Sequence, residues 1–171
     1  MITLQIIFWF FLFLFIYSYL LFPWILKWLA GNKTIGASSF SVEELPVISV
    51  LIAAYNEELV IGEKINSVFL SDYPPGKLEI LVGSDASTDQ TNAILKQLKE
   101  SFASLHLFLY ENRKGKPGII NELAQEARGE ILVISDANVM LESNTLYELI
   151  RYFKDPDIGL VDSSLISTGI K

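Results

Sequence analysis

The chain has 171 residues, 51% of them hydrophobic, with a formal net charge of -7 and a sequence pI of about 4.7. That acidity excludes a nucleic-acid surface, which needs a basic patch or stripe. The absence of cysteine excludes disulfides, thiolate nucleophiles and Cys-ligated zinc. The single histidine, His106, rules out a multi-histidine metal centre and reads as a strand residue in the alternating run LHLFLY.

From Ile2 to Leu26 no residue is charged, and polarity is scattered at Thr3, Gln5 and Ser18. About 20 apolar residues cross the hydrocarbon core, so residues 2–28 are expected to form one transmembrane helix with Trp9, Trp24 and Trp28 at the interfaces. The stretch is too long for a signal-peptide core and no small-residue cleavage pattern follows it. Lys27 and Lys33 come after the helix and no lysine or arginine precedes it, which predicts a single-pass protein with its domain facing the cytoplasm. Asn32-Lys33-Thr34 is a glycosylation sequon that matters only in the opposite orientation. Residues 29–45, rich in Gly, Ser and Thr, read as a linker.

The pattern then changes. Val47 to Ala53, entered through Pro46, is an apolar run that predicts a buried strand. Asn56 is expected to cap the helix that follows, whose inward face carries Ile61, Ile65, Val68 and Phe69. Tyr73-Pro74-Pro75 ends that helix. The unit repeats with a strand over Leu78 to Val82, a helix burying Ile94, Leu95, Leu98 and Phe102, and a strand over Leu105 to Tyr110. A loop from Glu111 to Gly118 precedes a helix burying Ile120, Leu123, Ala124 and Ala127. Ile131 to Ile134 then reads as a strand buried on both faces, at the centre of a parallel sheet. Ser143 or Asn144 is expected to cap a last helix using Leu146, Leu149, Ile150 and Phe153, with a fifth strand over Ile158 to Val161. Strict alternation with short connections predicts an α/β fold, a mostly parallel sheet flanked by helices, in which every strand-end cluster falls on one rim.

Four clusters converge there: Ala53 to Glu57, Ser84 to Asp89, Asn112 to Lys116, and Asp136 to Asn138. In open α/β sheets that rim is where ligands bind. A carboxylate ending a central buried strand costs several kcal/mol of desolvation unless it is paired or meets ligand, so Asp136 is the leading candidate. Asn56 and Asp89 have capping as a competing role, and Arg113, Lys114 and Lys116 have a solvated loop. No GxGxxG follows the first strand, and Gly115-Lys116-Pro117 is no Walker A loop, so a nucleotide must be held by side-chain acceptors. Asp85 would meet base or ribose, and Asp136 ribose or metal. Oxygen-only donors suit Mg²⁺ or Mn²⁺.

SVLIAAYNEE, EILVGSDASTDQT and NRKGKPGIINELAQEARGEILVISDANVML, in this order, resemble the family 2 glycosyltransferases of GT-A fold, in particular their membrane-anchored, cellulose-synthase-like branch. The resemblance runs from about Val47 to Asp162. It implies that residues 46–171 form the nucleotide-sugar-binding half of such a domain, which transfers sugar from a nucleotide-sugar, often a UDP-sugar, to a glycan or lipid acceptor with inversion. It further implies a donor site of Ala53, Tyr55, Glu57, Asp85, Lys116 and Asp136, and a metal pair of Asp136 and Asn138 binding Mg²⁺ or Mn²⁺.

Three departures stand out. Ser84-Asp85 replaces the Asp-Asp of many members, and the DxD triplet reads Asp136-Ala137-Asn138, with a neutral amide as its second ligand. The third is that the family's catalytic base is expected beyond Lys171, so no catalytic residue is assigned and the chain is expected to supply donor binding only, with a second polypeptide as the candidate carrier of the rest of the fold. The competing reading is a non-catalytic membrane-bound partner subunit. A phosphorelay receiver is disfavoured because Tyr55-Asn56 precede the acids of the first loop and no lysine ends the last strand.

Overall fold

The computed structural model describes residues 2–31, 36, 38–164 and 166. The Asn32-Lys33-Thr34 sequon lies outside them. Two compact units divide the chain, residues 1–36 and 37–171. The first is helical: α1 (Ile2–Ile16), one π turn (Tyr17–Leu21) and α2 (Phe22–Ala30). The π turn has a local cause. Pro23 lacks an N–H and its ring crowds the carbonyl four residues back, and the ladder widens there so that the Phe22 N–H bonds to the Tyr17 carbonyl, five residues back. Ile2–Leu29 is long and apolar enough to cross a membrane, with a mean hydropathy of 2.2.

The second unit is built on four parallel strands: β1 (Ile48–Ala54), β2 (Leu78–Asp85), β3 (Leu105–Tyr110) and β4 (Ile131–Asp136), in the order β3-β2-β1-β4. Between them come α3 (Ile61–Phe69), α4 (Thr91–Ser101) and α5 (Gly115–Glu126), and after β4 comes α6 (Thr145–Ile150), extended by a 3-10 turn over Arg151–Lys154. The larger core lies on one face, where Ile48, Val50, Ile52, Ile80 and Val82 meet Ile61, Ile65, Val68, Leu95, Leu146 and Ile150. On the other, Leu51 and Leu81 meet Ile119 and Leu123 of α5. The approach of α5 needs Gly83: a β-carbon there would stand 2.3 Å from Ile119 Cγ2.

Four expectations are corrected. Among the described residues β4 is an edge strand, whereas β1 and β2 form the centre of the sheet. Its Leu132 and Ile134 are 43% and 59% exposed, because they lie in register with Ser49 and Leu51 on the α5 face while α5 packs over β1 and β2. An apolar run records what its two faces would prefer, not which neighbours reach them. Ile158 to Val161 forms no strand; Leu160 is 85% exposed, and a four-residue run interrupted by Gly159 carries no usable period. Asn56 does not cap α3, which starts five residues later. It instead takes a left-handed backbone (φ 54°), which asparagine tolerates, and its Oδ1 accepts the Thr88 N–H at 2.8 Å. Neither Ser143 nor Asn144 makes a side-chain capping bond to α6.

Candidate functional site

Register decides what shares the rim. Ala53 pairs with Gly83 on one side and with Asp136 on the other, so the chain leaves β1, β2 and β4 at nearly one level. Tyr55, Glu57, Asp85, Lys116, Asp136 and Asn138 join Ala53 around a single open cleft of about 310 Å³. All seven residues singled out from sequence therefore line one space, together with Arg113.

The β1–α3 and β2–α4 loops are stitched together by groups that carry no ligand role themselves. The Glu57 N–H donates to Thr91 Oγ1 (2.8 Å), the Glu58 N–H to Asp89 Oδ2 (3.1 Å), and the Gln90 N–H back to Glu58 Oε2 (2.9 Å). Asp89, one residue before the N-cap position of α4, also accepts the Thr91 N–H at 3.0 Å. Burial pushes its carboxyl up, but the bonds from Thr91 and Glu58 outweigh that and hold it below the ordinary carboxylate range. These reciprocal bonds hold the two loops, and Glu57 with them, against each other.

Asp85 is only 3% exposed. Its Oδ1 accepts the Lys114 N–H at 2.6 Å and its Oδ2 the Gly115 N–H at 2.9 Å, where α5 begins. A carboxylate at a helix N-terminus is favoured by the unpaired amides and the helix dipole. Arg113 Nε stands 3.3 Å from Asp85 Oδ2, and its guanidinium lies 3.4 Å from the centre of the Tyr55 ring. Sequence reasoning left Arg113 undistinguished among three loop cations. The structure separates them: Arg113 and Lys116 line the cleft, whereas Lys114 turns to Glu122 at 2.7 Å.

Asp136 is the opposite case. It is half exposed, with Lys116 Nζ on its Oδ1 as an ion partner. The desolvation argument for it fails, because an edge strand leaves the carboxylate in contact with water. The carboxylate is accessible to a ligand for the same reason. Asp136 and Asn138 are both exposed, and Ala137 between them is buried. Among the described residues no set of three or more His, Cys, Asp or Glu side chains converges. One carboxylate and one amide oxygen fit a hard divalent cation that takes its remaining ligands from phosphate and water, as Mg²⁺ and Mn²⁺ do, and do not fit a closed protein cage.

A family model described as Glycosyl transferase family 2 matches residues 49–170. Beta-monoglucosyldiacylglycerol synthase of Synechocystis sp. is 33% identical over 116 residues, 67% of this chain and 24% of that protein. Poly-beta-1,6-N-acetyl-D-glucosamine synthase of Staphylococcus aureus is 32% identical over 122 residues, 71% of this chain and 29% of that protein. The chain thus spans about a quarter of the length of the curated relatives it matches. Among solved structures, a mannosyltransferase from Pyrobaculum calidifontis in complex with GDP-Man and Mn²⁺ aligns with a TM-score of 0.71 at 33% identity, covering 82% of this chain and 41% of that one. Staphylococcus aureus TarS in complex with UDP-GlcNAc aligns with a TM-score of 0.53 at 31% identity, covering 59% and 29%.

Proposed function

The chain belongs to the family 2 glycosyltransferases, and from that premise we propose that its cleft binds a nucleotide-sugar, a UDP-sugar by preference, together with Mg²⁺ or Mn²⁺. The chain is the donor-binding part of an enzyme that passes the sugar to a glycan or lipid acceptor with inversion. The observation that carries this reading is the convergence of Ala53, Tyr55, Glu57, Asp85, Lys116, Asp136 and Asn138, from four separate segments, on one cleft.

Their chemistry suits the parts of such a donor. The Arg113 guanidinium stacked on the Tyr55 ring offers a planar surface for a base, and Asp85 Oδ1, which accepts only the Lys114 N–H, keeps a lone pair for base or ribose, whereas Oδ2 is taken by the Gly115 N–H and Arg113. Asp136 and Asn138 would hold the cation, which when bound neutralises the diphosphate and its developing charge as the sugar leaves. Lys116, already paired with Asp136, exchanges that carboxylate for a phosphate oxygen at little cost, since both side chains are half exposed. In this reading residues 2–28 anchor the protein, residues 29–45 link, and the domain faces the cytoplasm.

The test is calorimetric titration of UDP, UDP-GlcNAc and GDP into the full chain in detergent, with and without Mn²⁺. The metal is expected to tighten UDP binding about tenfold or more, and Asp136→Ala to abolish that gain. Equal affinity in the two proteins would remove Asp136 from the site. The exposed β4 residues Leu132 and Ile134 favour a second reading, a docking role beside another polypeptide; nucleotide affinity absent from the wild type would support it.

A further inference from the structure

Lys64 occupies a position where a lysine is costly. It shares the inward face of α3 with Ile61, Ile65 and Val68, at helical spacing, and all four are 0% exposed. An ammonium there needs hydrogen-bond partners to offset its desolvation. It has two: Nζ donates to Ser135 Oγ at 2.6 Å and to the Val139 carbonyl. Those acceptors immediately flank the triplet Asp136-Ala137-Asn138, one before it and one after. Ser67, three residues along α3, adds a third tie, since its Oγ accepts the Leu141 N–H at 3.3 Å while donating to the Lys64 carbonyl at 2.8 Å.

Resting on the reading that Asp136 and Asn138 take the metal, we propose that Lys64 is a positioning residue whose buried ammonium clamps both ends of the Asp136–Asn138 loop and sets how carboxylate and amide face one cation. The argument is geometric. β4 is an edge strand, so the triplet has sheet support on one side only, and Asp136 itself is half exposed. With just two protein ligands, the separation of the two oxygens governs affinity, and small displacements are expensive. A multi-donor ammonium can hold a hydroxyl and a carbonyl at once, whereas an apolar side chain of similar length would fill the space and free the loop. Burial lowers the Lys64 pKa to about 8, while the nearby Asp136 charge raises it.

The experiment uses the full chain in detergent, with UDP as the probe, titrated with and without Mn²⁺. Four proteins are compared: wild type, Lys64→Met, Ser135→Ala and Asp136→Ala. Positioning predicts that Lys64→Met keeps the metal-free affinity within about twofold and still unfolds cooperatively, yet loses about tenfold of the Mn²⁺-dependent gain. Ser135→Ala, which removes one acceptor and leaves the lysine in place, loses a smaller part, roughly threefold. A merely structural role would lower thermal stability and weaken metal-free and metal-bound affinity alike, and that result overturns the proposal. A full Mn²⁺ gain retained by Lys64→Met also overturns it while leaving the metal reading intact. A gain absent from the wild type, or retained by Asp136→Ala, overturns the metal reading and this proposal with it. Should Lys64→Met fail to fold, an unchanged gain in Ser135→Ala is the overturning result.

Discussion

Asp85 and Asp136 each end a parallel strand on the same rim and line the same cleft, yet their surroundings are opposite. Asp85 is buried, and both its oxygens are occupied by backbone N–H groups where α5 begins. Asp136 is half exposed, and its ion partner is a lysine as exposed as itself. The difference comes from strand order: β2 lies inside the sheet, with α5 over it, whereas β4 lies at the edge. The same residue type at the same point of the βα unit thus serves in one case as a cleft-wall acceptor that also fastens a helix to the sheet, and in the other as a carboxylate held by one exposed ion pair.

The largest effect that sharpens this contrast is expected from Asp85→Ala. It strips the first amides of α5 and the Arg113 guanidinium of a buried acceptor, and should cost about 2–4 kcal/mol in urea denaturation. A loss below about 0.5 kcal/mol would break the comparison. Next comes Gly83→Ala, whose new β-carbon would stand 2.3 Å from Ile119 Cγ2 and push α5 off β2. It should destabilise by about 1–3 kcal/mol and weaken protection of the Lys114 and Gly115 amides in hydrogen exchange.

A smaller effect is read from pH in metal-free protein. The Lys64 pKa falls from 10.5 to about 8 on folding, through burial opposed by Asp136. Between those values the unfolded chain binds a proton that the folded chain does not, so this group makes stability rise with pH across the window and lose that contribution as pH falls through 8. Tyr73 and Tyr110, both pushed up to about 12 chiefly by burial, act in the opposite direction above pH 10. The urea midpoint should therefore rise from pH 8 to 10 in the wild type relative to Lys64→Met; parallel profiles would mean that Lys64 is not desolvated. The smallest stability effect belongs to Asp136→Ala, within about 0.5 kcal/mol of wild type at neutral pH, as for an exposed ion pair, although its metal-dependent nucleotide affinity should collapse. A large loss of stability there would make Asp136 a second fastener like Asp85.

Much of this site was legible before any fold was seen. The alternation of apolar runs with helical periods implied parallel strands, parallel strands implied a single rim, and the seven residues that the family resemblance picked out on that rim share one cleft. Local patterns carry that much because side-chain periodicity and turn chemistry are properties of a few consecutive residues. Arg113 was not distinguished from Lys114, because which cation turns to Tyr55 and which to Glu122 depends on where α5 begins. Lys64 was missed although a signal existed: it falls on the same helical stripe as Ile61, Ile65 and Val68, where a lysine has reason to be only if something polar waits beneath.

By itself, then, the amino-acid sequence determined a membrane-length apolar helix, the α/β alternation and the chemistry gathered at the strand ends. Tertiary structure alone decided that β4 lies at the edge with Leu132 and Ile134 exposed, that Asp85 is buried against the start of α5, and that α3 sends a buried ammonium to the loop bearing Asp136. The reason is that an apolar run states how much surface a strand would bury, while the order of strands and the reach of each helix settle which surface is actually covered, and those depend on contacts between residues far apart in the chain.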